Sequence, residues 1–183
     1  MHTIMKGLKK DHHNLAKVLK IMELQLERIA EGDDAALGLM YDSSHYIQSY
    51  PDIIHHPKED KVFEVFKYRS KDEADALKKL TQQHMDMPNT TDKFKEMLDT
   101  AINGLESISR EDLVNKIKDY IELEWEHMDL EESVVFPLID ETLEDKDWKL
   151  LEELIDADSD PLFSDSVEES FQNLYQSIKD QAA

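Results

Sequence analysis

No cysteine occurs anywhere in this chain of 183 residues. That absence excludes disulfide scaffolds, thiolate zinc sites, iron–sulfur clusters and thiol catalysis together. Glycine (4) and proline (5) are too scarce for a loop-rich all-β fold. Positive charge is scarce as well. Against 42 Asp and Glu stand 21 Lys and Arg, a formal net charge of −21. So acidic a chain repels nucleic acid and anionic membranes, and neither is expected as a partner. No run approaches the ~18 apolar residues of a membrane span, and no basic-plus-apolar segment opens the chain, so a soluble, cytoplasmic protein is expected. Leu, Lys, Glu, Asp and Met are abundant, which favours helices. The length predicts one domain with room for a proper core.

One spacing occurs twice, as His55…Glu59 and His127…Glu131. Four residues apart on a helix, an imidazole and a carboxylate project from the same face. With thiolates excluded, a metal here needs exactly such nitrogen and oxygen donors, a set that suits iron or manganese, with zinc next. The competing reading is two surface Glu–His pairs on solvated helices. The hydrophobic stripes decide between them.

From Thr3 to Ile29 the stripe is Met5, Leu8, His12, Leu15, Leu19, Met22, Leu26 and Ile29, the three-and-four rhythm of a bundle helix. His12 takes a core position, whereas His13 shares a face with Lys9, Lys10, Lys17 and Lys20 and is solvated. The second segment, Ala35 to Tyr68, is interrupted by Pro51 and Pro57, which predict a kink. Its His55-His56-Pro57-Lys58-Glu59-Asp60 run offers two pairs. Continuing from Glu59 reaches Val62, Phe63 and Phe66; continuing from Asp60 reaches Phe63 and then Lys67. His55/Glu59 is taken as the inward pair, with His56 and Asp60 left open. His45 falls off that face.

Ser70 reads as the cap of a third helix with the stripe Leu77, Leu80, His84, Met87, Thr91, Phe94, Leu98, Ala101 and Leu105. Pro88 predicts a bend or a short break there. Ser109 and Asp112 cap a fourth helix with Leu113, Ile117, Tyr120, Glu124, His127, Glu131, Val134 and Leu138. A lone Glu on such a stripe is costly unless a partner or cation neutralises it. Glu124, three residues before His127, is placed to support that histidine. Two short amphipathic helices follow, Lys146–Ala157 and Ser164–Asp180, joined by Asp158-Ser159-Asp160-Pro161. The stripe Phe171, Leu174, Tyr175 and Ile178 seats the last of them on the bundle or on a second subunit.

These elements predict an all-α, up-down-up-down four-helix bundle over residues 1–143, with a C-terminal helical extension over 144–183 on the bundle or at a dimer interface. In that order the starts of helices one and three share an end with the finishes of helices two and four. At ~1.5 Å per residue, His12, His55, His84 and His127 then lie within about one turn of the same height, and Glu59 and Glu131 lie together one turn nearer that end. The six residues His12, His55, Glu59, His84, His127 and Glu131 are the predicted metal ligands.

The residues Asp11-His12-His13-Asn14, His55-His56-Pro57-Lys58-Glu59-Asp60, His84 and His127-Met128-Asp129-Leu130-Glu131-Glu132 running to Phe136-Pro137 resemble the hemerythrin-like, HHE cation-binding family over nearly the whole chain. Asp160-Pro161-Leu162-Phe163 and the final helix look like an extension seen in some bacterial members. The resemblance implies a bundle holding two iron ions with an oxo or hydroxo bridge, manganese or zinc being the alternatives. It implies His12, His55, His84 and His127 as terminal ligands and Glu59 and Glu131 as bridges. It implies binding or sensing of O2, NO or peroxide, rather than multiple turnover, with a small diatomic or peroxide ligand and a homodimer as partners. The alternative is a ferroxidase or an enzyme that removes NO or peroxide, as in iron–sulfur cluster repair. Oxygen carriers of this family place two histidines four apart on the third helix, but Leu80 stands four before His84 and Pro88 four after it. Cluster-repair relatives usually carry a cysteine-containing region, and this chain has no cysteine. The resemblance therefore points to a four-His, two-Glu site rather than to an oxygen carrier.

Overall fold

The first stripe builds α1 (Thr3–Ala30), whose Met5, Leu8, Leu15, Leu19, Met22 and Ile29 are buried with His12 among them, while His13 is exposed. The computed structural model describes residues 1–104, 108–156 and 159–181. Leu105, Ala157 and Asp158 lie outside the described residues. The second bundle helix is composite: α2 (Ala36–Ser49), a π-helical turn at Pro51–His55, then α3 (His56–Arg69). The third is α4 (Ala74–Asn103). The fourth repeats the composite plan, with α5 (Arg110–Leu130), a π-helical turn at Glu131–Val135 and α6 (Phe136–Thr142). Both α1 and α4 pack on α2 and on α5, which closes the square of a four-helix bundle. The chain is all-α, with no strand among the described residues, and none of these helices is long and apolar enough to cross a membrane.

Apolar side chains gather into two clusters rather than one. Leu19, Met22, Ile47, Leu98 and Ile117 belong to the first, and Leu8, Phe63, Phe66, Leu80 and Phe136 to the second. The buried histidines of α1, α3, α4 and α5 fall between the two with Glu59 and Glu131, so a polar layer separates them. The C-terminal elements cover this bundle. α7 (Asp145–Leu154) packs on α3, and α8 (Gln172–Gln181) packs on α1 and α2, with Phe171 and Leu174 buried.

Three local expectations fail. Pro88 sits inside an unbroken α4; packing of Leu80, Met87 and Phe94 on either side of it carries the helix through the lost hydrogen bond. Ser70 ends α3 instead of starting α4, and its hydroxyl accepts from the Asp72 amide at 3.0 Å. The last helix begins at Gln172, not Ser164. Asp160 explains the delay: its Oδ1 accepts from the amides of Leu162 (2.9 Å) and Phe163 (3.0 Å), and its Oδ2 from Asn14 Nδ2 (3.3 Å) and Tyr46 Oη (3.1 Å). Those bonds fold the segment into a turn pinned to α1 and α2. Ser109, by contrast, does cap α5, accepting from the Asp112 amide at 3.0 Å.

Ahead of α4, Glu73 adopts a left-handed conformation (φ 52°) with no capping bond from its side chain. A Cβ in that region is strained, and glycine removes the strain. Glu73→Gly is expected to stabilise the fold by about 0.5–1 kcal/mol, read as a higher denaturation midpoint in urea; an unchanged or lower midpoint contradicts it.

Candidate metal centre

Both composite helices owe their wide turn to the same local sequence device. A proline follows each turn by two residues, Pro57 after His55 and Pro137 after Val135. A proline ring meets the carbonyl four residues earlier in a regular helix. Widening the turn relieves that clash: the amides of His56 and Phe136 reach back five residues, to the carbonyls of Pro51 and Glu131. The wide turn accommodates one extra residue, so the adjacent His55 and His56 both face inward. Both are buried, as are Glu59 and Glu131, which are fully shielded from solvent.

Seven side chains converge in the polar layer. The donor atoms of His12, His55 and Glu59 lie within 4.8 Å of one another, as do those of His56, Glu59, His84 and His127, and each group could hold a metal ion. Glu59 belongs to both. Its Oε1 lies 3.2 Å from His12 Nε2 and 3.1 Å from His55 Nε2, and its Oε2 lies 3.6 Å from His84 Nε2. Glu131 spans the same gap, with Oε2 3.3 Å from His12 Nε2 and 3.4 Å from His127 Nε2, and Oε1 3.2 Å from His84 Nε2. All six residues expected from the stripes are therefore in one place, and His56 joins them.

The other nitrogen of four of the five rings meets an acceptor. His12 Nδ1 meets Glu132 at 3.1 Å, His55 Nδ1 meets Asp11 at 3.2 Å, and His84 Nδ1 meets Asp60 at 2.8 Å. His127 Nδ1 meets Gln83 Oε1 at 3.2 Å, whereas His56 Nδ1, 3.5 Å from Asp52, has no hydrogen-bond partner. An acceptor at Nδ1 fixes the proton there and leaves Nε2 as a lone pair toward the centre, the arrangement typical of metal-ligating histidines. His84 Nε2 and His127 Nε2 lie 3.2 Å apart. With both Nδ1 atoms donating outward, neutral rings would set two lone pairs against each other. A shared proton or a cation relieves that contact. His55 Nε2, both Glu59 oxygens and Glu131 Oε2 also lack any hydrogen-bond partner. Buried, orphaned donors of nitrogen and carboxylate type fit a cation of the iron, manganese or zinc class.

The same burial sets the charges. Burial works against ionised Glu59, but the His55 charge and the close His12 ring outweigh it and hold its pKa well below the usual range. Glu131 is pulled to about 2: burial and the Glu59 charge oppose ionisation, and His127, His12 and His84 overcome them. His12 goes well above its ordinary value, and His84 reaches about 10; burial opposes both, and the carboxylates on either side of each ring prevail. His56 is driven the other way, first by burial and then by the charges of His84, His127 and His55. Protons on His12 and His84 thus stand in for the cation.

The sequence left His56 open as an inward residue, and it did not reveal the partners that hold the rings from outside. Asp60 is not a donor to the centre but an outward partner of His84. Glu124 does not hydrogen-bond His127; Gln83 on α4 does, and Glu124 has no partner for either oxygen. The exposed His13 and the half-buried His45, which accepts from Lys95 Nζ at 3.1 Å, play no part.

Among known protein families, the hemerythrin HHE cation binding domain matches residues 3–139. No curated protein and no solved structure matches the chain.

Because the His12 and His84 values rise on folding, they stabilise the metal-free fold below the unfolded imidazole pKa of ~6.5 and lose that effect as pH climbs through the folded values. Protein stripped with chelator is expected to lose thermal stability between pH 7 and pH 10, and Zn2+-loaded protein to lose less. Zinc affinity, in turn, is expected to weaken as pH falls from 8 to 6, by about tenfold per unit for each proton displaced. A pH-independent affinity in a competition titration contradicts this charge assignment.

Proposed function

The chain thus belongs to the hemerythrin HHE cation-binding family, and on that premise we propose that its centre holds two iron ions and binds or senses a small oxidant, O2, NO or peroxide. The observation that supports this most directly is the division of seven buried donors into two groups joined by two carboxylates. His12 and His55 would hold one ion; His56, His84 and His127 would hold the other; Glu59 and Glu131 would bridge them. Iron, when bound, supplies a ferrous–ferric couple and open positions for a small ligand. The protein's own contribution is orientation and shielding. Asp11, Glu132, Asp60 and Gln83 aim four of the five rings, and Phe136, stacked on His12 at 5.1 Å, and Phe63, stacked on His84 at 5.7 Å, line the centre with apolar surface.

His56 also bears on the choice of ligand. The third bundle helix carries a single histidine, but the second helix contributes two, so the His84 side reaches three imidazoles by a different route. The imidazole count therefore no longer separates this centre from oxygen-binding members of the family.

A second reading is a ferroxidase or an enzyme that removes NO or peroxide. A groove of about 280 Å³ between α1 and α5, lined by Lys9, His12, His13, Trp125, Met128 and Glu132, brings the surface to His12. Such access suits ferrous iron as a substrate. Catalytic oxidation over many equivalents of Fe2+ identifies the enzyme; a single stoichiometric reaction identifies the binder or sensor.

Anaerobic reconstitution with Fe2+ is expected to load about two irons per chain, with a ligand-to-metal charge-transfer band after oxidation. His127→Ala and His56→Ala each lower iron affinity by at least about tenfold, while His13→Ala leaves it unchanged. Uptake of no more than a trace of iron, or equal uptake in all these variants, overturns the assignment.

A further inference from the structure

Directly beside the seven-donor centre is a second buried polar layer to which the proposed iron chemistry gives no task. It consists of Asp52 on the first wide turn, Thr91 on α4, and Tyr120 and Glu124 on α5. Asp52 precedes His56 by four residues, Glu124 precedes His127 by three, and Thr91 follows His84 by seven. Each therefore sits about one to two helical turns, at 5.4 Å per turn, from a histidine of the centre, on the side away from Glu59 and Glu131. Above the layer the Phe94 ring stacks on Tyr120 at 4.0 Å.

All four side chains are more than nine-tenths buried. Thr91 faces Asp52 and Tyr120 faces Glu124, yet none of the four carboxylate oxygens closes a full hydrogen bond. Their nearest candidates cannot serve them all. Thr91 Oγ1 and Tyr120 Oη bond to each other at 3.1 Å, so one of the two hydroxyl hydrogens is already used. The remaining one reaches at most one carboxylate. His56 Nδ1 faces Asp52 Oδ1 at 3.5 Å, too far for a good hydrogen bond. No Lys or Arg pairs with either acid among the described residues. The layer is therefore rich in oxygen acceptors and short of anything positive. The charges of both acids act on Tyr120, so the four side chains share one layer.

We propose that Asp52, Glu124, Thr91 and Tyr120 form a separate site for one divalent cation, bound through oxygen atoms alone. Two carboxylates carry the two negative charges that such an ion cancels, and carboxylate and hydroxyl oxygens are the donors that hard ions such as Mn2+ and Mg2+ select over nitrogen. An ion there satisfies the orphaned oxygens at once, which neither hydroxyl can do. The proposal rests on these oxygens and not on the iron reading, since the centre nearby is nitrogen-rich and uses different side chains.

Mn2+ is the probe. Crystals of the full chain grown with millimolar MnCl2 are expected to show an anomalous peak between Asp52 and Glu124, distinct from any peak at the histidines. The double variant Asp52→Asn/Glu124→Gln, which keeps both shapes, is expected to bind one Mn2+ fewer per chain by electron paramagnetic resonance titration. A map of the wild-type protein with only water, or nothing, between the two acids overturns the proposal, as does an unchanged count in the double variant. Because the wild-type map decides alone, a variant that does not fold leaves the test intact. A peak at the acids without peaks at the histidines upholds this site while refuting the di-iron centre; the reverse pattern does the opposite.

Discussion

Everything in this bundle is arranged around two carboxylates buried without solvent. Glu59 and Glu131 are fully shielded, and taking an ionised carboxylate out of water costs several kcal/mol even after relaxation. The chain offsets that cost with five imidazoles and, on the outer side of those rings, a further ring of acids and an amide. The alternation of charge runs outward from the centre: carboxylate, imidazole, carboxylate. Lys9 continues it to the surface through Glu132, at 2.7 Å. Removing the metal therefore does not leave a hole but a set of protons in its place, and the fold's charge balance passes from one to the other. That is a reason for the two apolar clusters to stand apart. A single continuous core would leave no layer in which such a network could be completed.

The hydrophobic periodicity made much of this legible. A strict three-and-four stripe separates His12 from His13 without coordinates, because a straight helix turns by about 100° per residue and adjacent positions cannot share a face. His84, His127 and Glu131 are legible for the same reason, as is the common height that brings them together. The family resemblance drawn from those residues agrees with the domain match over residues 3–139. The same rule left His56 undecided. It assumes a regular helix, and the helix is not regular at Pro51–His55. The signal was present in Pro57, two residues downstream, with a second instance in Pro137, but a proline reads as a kink unless the hydrogen bonds before it are seen.

Partners that cross between helices were illegible for a different reason. Gln83 reaches His127, and Asp11 reaches His55, over 44 residues of sequence. Nothing local distinguishes these side chains from the many polar residues on an acidic surface. Glu124 shows the converse error: its spacing to His127 is suggestive, yet its carboxylate lies in another layer. Pro88 and Ser70 depart from expectation because the packing of Leu80, Met87 and Phe94 outweighs local propensity, and because a serine between two helices can end one as readily as begin the next.

A π-helical turn is an α-helix that has absorbed one additional residue, and that gives the wide turn at Pro51–His55 an evolutionary meaning. A single-codon insertion there leaves α3 and its Glu59 in place and rotates only what comes before. It can therefore bring a second neighbouring imidazole to the inner face without recruiting a new helix or repacking the third. Histidine number at such a centre becomes a matter of chain length within one turn. Relatives with different donor sets then need differ by no more than a local insertion or deletion, and a gap placed beside a His-x-Pro in a comparison of sequences would mark a change of chemistry rather than a loop of no consequence.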